Sequence, residues 1–240
     1  MIQFKKKALA VALAAVLALF FSACGNPNGT DSAQNSPEPS SGTPASEGNT
    51  ETAGSGSEAQ SGNILIAYFT AAENSGVDAV ASASYTTIDG QSVGRVRAVA
   101  EMIQENVGGD LFSIRTSVVY PTDGGELIDY AAKEQDENAR PELTSHIENP
   151  GRYDIIFIGY PNWWADLPMA VYSFLDEYDF SGKTIIPFNV HNGSRFSRTI
   201  GTIQELEPDA TVIENGFTIS EQNVAGAHGE VSAWLEELGY

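Results

Sequence analysis

The residues best suited to chemistry fall in three short groups. Pro161-Asn162-Trp163-Trp164 brings two adjacent indoles, whose flat faces pack well against flat ligands. His191-Asn192-Gly193-Ser194-Arg195-Phe196 brings amides, a hydroxyl and a glycine, and Thr70 brings a further hydroxyl. Gly94 stands just ahead of a helical pattern, where the absence of a side chain lets a backbone approach closely. Small polar residues before helix starts suit a phosphate, because helix amides point outward there. The groups converge on a seat for a planar ligand and a phosphate. The competing reading is structural: one indole plugs the core and the other caps a hydrophobic edge. Two indoles on one Pro-Asn-Trp-Trp loop favour the ligand.

Other chemistries find little support. His146, His191 and His228 have no metal-ligand spacing, and no cysteine supports them. Of the three, only His191 stands in a candidate ligand loop. Ser194 lacks the Gly-x-Ser-x-Gly elbow of an esterase. Cys24 is the only cysteine, which excludes an internal disulfide and leaves the domain without a catalytic thiol. Glu236-Glu237 and the run from Glu134 to Glu137 read as exposed helix faces.

The elements that carry these groups follow from the apolar pattern. Ile64–Phe69, Ile155–Ile158 and Lys183–Val190 are short runs apolar enough for strands buried on both faces, as in a parallel sheet covered by helices. Leu111–Thr116 is more mixed and suits an edge. Thr211–Ile219 is a fifth strand, with a break signal at Asn215-Gly216. Val96, Val99, Ala100, Ile103 and Val107 trace one face of a helix. Leu167, Ala170, Val171, Phe174 and Leu175 trace another, with Asp166 and Pro168 as start signals. A polar, solvent-facing helix over 125–139, one near 197–206 and a last one carrying Val231, Trp234, Leu235 and Leu238 complete the alternation. Five strands alternating with five helices make a three-layer α/β sandwich. The three groups lie at the carboxyl ends of the three most apolar strands or the helix start that follows, where open α/β sheets bind ligands.

Ahead of this domain the chain has a different character. Lys5, Lys6 and Lys7 precede an apolar run, Ala8 to Phe21, shorter than the roughly 20 residues a membrane span needs. This is the layout of a secretory signal peptide over residues 1–23. Phe21-Ser-Ala-Cys24 resembles a bacterial lipobox, with Phe in place of the usual Leu, and makes Cys24 the expected lipidation site and mature N-terminus. Residues 24–62 are rich in Asn, Ser, Gly, Thr, Pro and Glu and too poor in large apolar residues to fold, so they read as a disordered tether. Residues 63–240 then form one domain. Removing the three signal lysines from the twelve Lys and Arg leaves nine cations against thirty-two Asp and Glu, a formal −23. Such a charge excludes nucleic acid and direct adsorption to anionic lipid. The expected location is the extracytoplasmic face of a bacterial cell membrane.

The domain resembles the flavodoxin-like fold, and in detail a branch of flavodoxin-like lipoproteins and small FMN-binding reductases. The resemblance is carried by Ile64-Leu-Ile-Ala-Tyr-Phe-Thr70, by Tyr153 through Trp164, and by Phe174 through Asn189. It implies a five-stranded parallel sheet of order 2-1-3-4-5 and FMN as ligand. The phosphate would lie near Thr70 and Gly94, and the ring between the Trp163/Trp164 loop and the His191–Phe196 loop. Where the family has hydroxyl-Gly-Asn-Thr directly after the first strand, Ala71 to Val93 intervenes and Gly94-Arg95-Val96 follows. That 23-residue excursion far exceeds the usual βα loop of about 2–6 residues, and reads as a lid, a substrate wall or a surface insertion. Asn192-Gly193-Ser194-Arg195 replaces the expected Gly-Gly-Ser-Gly. The implied function is electron transfer to or from a partner or a small acceptor such as a quinone, with no side chain acting as acid, base or nucleophile. The alternative is a binding module that kept the fold and lost its flavin.

Overall fold

The computed structural model describes residues 63–75, 85–88, 90–121 and 123–240. The expected signal peptide, Cys24 and the tether lie outside the described residues. Among those described, no helix is long and apolar enough to cross a membrane.

The main sheet is built on three strands buried nearly end to end: β1 (Ile64–Tyr68), β5 (Ile155–Pro161) and β6 (Thr184–His191). All three run parallel, with β1 against β5 and β5 against β6. The shorter, half-exposed β4 (Asp110–Ser113) flanks β1, as an edge strand should. Beyond β6 the last strand comes in two pieces. β7 (Thr211–Val212) pairs the start of β6, and β8 (Phe217–Ser220) pairs its end. Gly216 lies in the break, where a Cβ would come within 2.4 Å of the Pro187 carbonyl oxygen. Counting β7 and β8 as one broken strand, the order is the expected 2-1-3-4-5.

Side chains alternate across the sheet and divide the core in two. Ile64, Ile66 and Tyr68 face α2 (Arg95–Val107) and α6 (His228–Leu238), meeting Val99, Ile103 and Trp234. Leu65, Ala67 and Phe69 face the opposite layer of α3 (Gly124–Asp136), α4 (Met169–Glu177) and α5 (Thr199–Leu206), meeting Leu127, Val171 and Phe174. Each fully buried Val, Leu, Ile or Phe among these contributes about 1.5–3 kcal/mol. Gly159 is glycine for a packing reason: a Cβ there would sit 2.1 Å from the Phe188 ring.

Two expectations need correction, and the described ends of one segment gain structure. The excursion from Ala71 to Val93 opens on a helical turn, α1 (Ala71–Ser75), and closes on an antiparallel hairpin of β2 (Tyr85–Ile88) and β3 (Gln91–Gly94). Gly94 therefore ends a strand as well as starting α2. The helix expected to face solvent, α3, buries Leu127, Ala131 and Glu134 under the sheet's flank, and Asp123 caps its first amides. Glu134, expected on an exposed face, is only 6% exposed. Asp166, expected as a helix start signal, is instead buried and bound to side chains of two helices.

Candidate functional site

Because β1, β5 and β6 are consecutive in the sheet, the loops at their carboxyl ends lie side by side. After β5 the chain reverses within four residues. Asp166 N–H donates to the Trp163 carbonyl at 2.9 Å and Trp163 N–H donates back to Asp166 at 3.1 Å. Both central residues, Trp164 (φ 51°) and Ala165 (φ 63°), are left-handed, which makes the reversal a type I′ turn. Such turns ordinarily use Asn-Gly, and an L-residue with a Cβ costs about 1–2 kcal/mol at each left-handed position.

The turn sends the two indoles in opposite directions. Trp163 is 7% exposed and packs edge-on against Phe69 at 5.5 Å and Tyr120 at 5.6 Å. Its carbonyl also accepts a hydrogen bond from Gln135 of α3 at 2.8 Å. Trp164 is 56% exposed, and its indole N–H donates to the Ile128 carbonyl of α3 at 2.9 Å. Trp163 is thus the core plug, and Trp164 keeps an open face held in one orientation.

The loop after β6 is strained in the same way. Arg195 (φ 52°) and Ser197 (φ 49°) are left-handed, so four of the five described non-glycine residues with positive φ lie in these two loops. Backbone strain concentrated at strand ends is a mark of a working site. The Arg195 carbonyl accepts from Asn189 Nδ2 at 2.9 Å and from Asn162 Nδ2, and Asn162 also reaches the Ser197 hydroxyl at 3.3 Å. Asn162, buried just beyond Pro161, therefore ties one loop to the other. His191 is buried, and its Nδ1 accepts the Gly193 N–H at 2.9 Å, which puts the ring proton on Nε2. Burial, and then the Arg195 charge, hold His191 below the usual histidine range, so its ring is neutral at pH 7. Asn192, Gly193 and Ser194 are exposed, whereas Phe196 turns inward against the core.

At the end of β1, Thr70 is fully buried and touches Gly94: a Cβ at position 94 would lie 2.9 Å from Thr70 Oγ1. Residues 24 apart in sequence thus meet at the start of α2. Gly94 can offer no side-chain cap, and the outward amides of a helix start attract anions. Arg95 is half-buried as the first helical residue. Val96 is fully buried among core residues, so only its backbone amide can serve a ligand. Two nearby cations, Arg97 and Arg115, share Glu73. Glu73 accepts from Arg97 at 3.1 Å and from the Ser113 hydroxyl, and Arg115 lies 3.7 Å from it.

Sequence reasoning missed Asn189, whose signal was an amide within an otherwise apolar strand, and Asp166. It also missed the buried pair behind Trp163. Burial raises Glu134 to about 7, and the neighbouring Tyr120 hydroxyl is held well above its usual range by burial and by that carboxyl. His146 and His228 are exposed, beside Glu177 and Glu105. Among the described residues no group of acidic or histidine side chains could hold a metal ion.

A family model described as flavodoxin matches residues 83–238, well over half of the chain. The chain belongs to the flavodoxin family. Two neighbours among solved structures come from Bacteroides. A protein assigned as a flavoprotein from Bacteroides eggerthii is 27% identical, with 74% of this chain and 98% of that one covered and a TM-score of 0.56. Another, from Bacteroides uniformis, is 24% identical over 73% of this chain and 98% of its own, with a TM-score of 0.57. A flavoprotein from Lactobacillus acidophilus, solved in complex with FMN, is 18% identical over 73% of this chain and 99% of its own, with a TM-score of 0.51. No curated protein matches the sequence. In this flavodoxin the expected ligand positions divide by structure. Thr70, Gly94, Asn162, Trp164 and the Asn192–Ser194 backbone border the three loop ends, while the side chains of Trp163, Val96 and Phe196 belong to the packing beneath.

Proposed function

We propose that this flavodoxin binds FMN and transfers electrons to or from a partner protein or a small acceptor such as a quinone. Its place is the extracytoplasmic face of a bacterial membrane, anchored through lipid on Cys24. The reading is carried by one observation: the three strained or glycine-bearing loop ends lie on adjacent central strands, and the middle one holds out a single oriented indole. Thr70 and the first amides of α2 would take the phosphate; the face of Trp164 and the Asn192–Ser194 backbone would take the ring. FMN, when bound, supplies the redox chemistry. The chain's own residues bind it, orient it and tune its environment, and neutral His191 adds no charge there. FMN in the Lactobacillus acidophilus protein agrees with this reading.

The second reading, a fold-retaining binding module without flavin, draws on the phosphate end. Val96 has no hydroxyl to offer, and Arg97 and Arg115 are engaged by Glu73. Adding FMN to the purified protein, removing excess by gel filtration and recording the visible spectrum separates the two. A retained, spectrally shifted flavin near one equivalent supports the proposal, and a flavin-free protein peak supports the module.

A further inference from the structure

We infer that Asp166 is a positioning residue that fixes the two ring-side loops against one another. Its carboxylate is buried and fully used. Oδ2 accepts from the Tyr172 hydroxyl of α4 at 2.9 Å and from Arg198 Nη2, and Oδ1 accepts from the Thr202 hydroxyl of α5 at 2.9 Å. Its backbone closes the turn that displays Trp164. One residue therefore joins the aromatic turn to the segment that ends the loop after β6. A second strap runs alongside, from Arg198 N–H to the Ala165 carbonyl at 3.4 Å.

The Arg198 side chain is 68% exposed, so its ion pair with Asp166 contributes little by itself. The weight lies in geometry: donors approach both carboxylate oxygens at once. An amide of the same shape either sets its NH2 against the Arg198 guanidinium, donor to donor, or turns it to Thr202, whose hydroxyl must swing round to accept; the neutral group also loses the charge-assisted strength of its remaining bonds. In Thr202→Val it is the buried Asp166 Oδ1 that loses its Thr202 partner, and a buried acceptor left unpaired is costly. Both loops already hold left-handed residues, so releasing the clamp lets each relax away from the other. The functional meaning of this rests on the proposal that the loops hold a flavin ring; the coupling itself needs no ligand to be observed.

The test is hydrogen–deuterium exchange on the full chain in detergent, without FMN, comparing wild type, Asp166→Asn and Thr202→Val. Asp166→Asn should speed exchange about tenfold in segments 163–166 and 194–199 while β1 and β5 stay protected. Thr202→Val, which leaves the turn chemically intact, should still speed exchange in 163–166, a result a purely local role would not give. Wild-type-like exchange in either loop of Asp166→Asn, an unaltered turn in Thr202→Val, or loss of protection throughout the sheet would overturn the inference. FMN titration of the same proteins is read separately. Wild type that binds FMN with Asp166→Asn weakened about tenfold supports the clamp as part of the ring site. Equal affinity removes that role, and failure of wild type to bind defeats the flavin reading while leaving the exchange result to stand.

Discussion

The two adjacent tryptophans should respond to truncation in opposite ways. Trp163 is 7% exposed and packs edge-on with Phe69 and Tyr120, so Trp163→Ala opens a large cavity beside β1 and should cost about 3–5 kcal/mol of stability. Trp164 is 56% exposed, and its main attachment is one hydrogen bond to the Ile128 carbonyl. Trp164→Ala should therefore cost only about 1 kcal/mol of stability. Its loss should appear in flavin affinity: stacking of a base on an aromatic side chain contributes about 1–3 kcal/mol, roughly 5- to 150-fold in Kd. Urea denaturation gives the first quantity and quenching of flavin fluorescence on titration gives the second. If Trp164→Ala binds FMN within about twofold of wild type while keeping its urea midpoint, Trp164 is not the ring's partner. A Trp163→Ala protein as stable as wild type would refute the packing argument itself.

Gly94→Ala should weaken FMN binding and destabilise the domain by about 1–3 kcal/mol, since the added Cβ lands 2.9 Å from Thr70 Oγ1; unchanged affinity by the same titration would remove Thr70 and Gly94 from the phosphate site. Burial raises Glu134 and Glu207 to about 7 from 4.5, so both ionise more readily in the unfolded chain. Their stabilising effect is complete below the unfolded value and is lost as pH rises through the folded one; the urea midpoint should fall between about pH 5 and pH 8, and Glu134→Gln should flatten part of that slope. Cys24→Ala should release the protein from membranes or block its processing, and an unchanged mature mass with unchanged membrane association would contradict lipidation.

The three central strands were legible because strands buried on both faces read as continuous apolar runs, and β1, β5 and β6 lie close to their expected positions. The broken outer strand was legible at Asn215-Gly216. The hairpin within the excursion carried a signal that went unread: Asp89-Gly90 between Tyr-Thr-Thr-Ile and Gln-Ser-Val is the pairing a two-residue turn prefers, and Gly90 has φ 79°. Burial of Glu134 was not legible, because it depends on Tyr120 and Trp163 arriving from distant segments. The division of labour between Trp163 and Trp164 was hidden for a related reason. A type I′ turn built on Trp-Ala violates the local preference, and contacts with α3, α4 and α5, all outside the turn itself, enforce it. Asp166 looked like a helix start because its sequence neighbour Pro168 is one; its true partners lie in Tyr172, Arg198 and Thr202.

The most direct measurement is a crystal structure of the protein grown with FMN. The account predicts the phosphate at the start of α2, touching Thr70 and the amides near Gly94. It places the ring against the exposed face of Trp164, with the Asn192–Ser194 backbone along its edge and Trp163 still buried behind. A flavin bound elsewhere on the domain, or a ring that meets neither Trp164 nor the loop after β6, would contradict it.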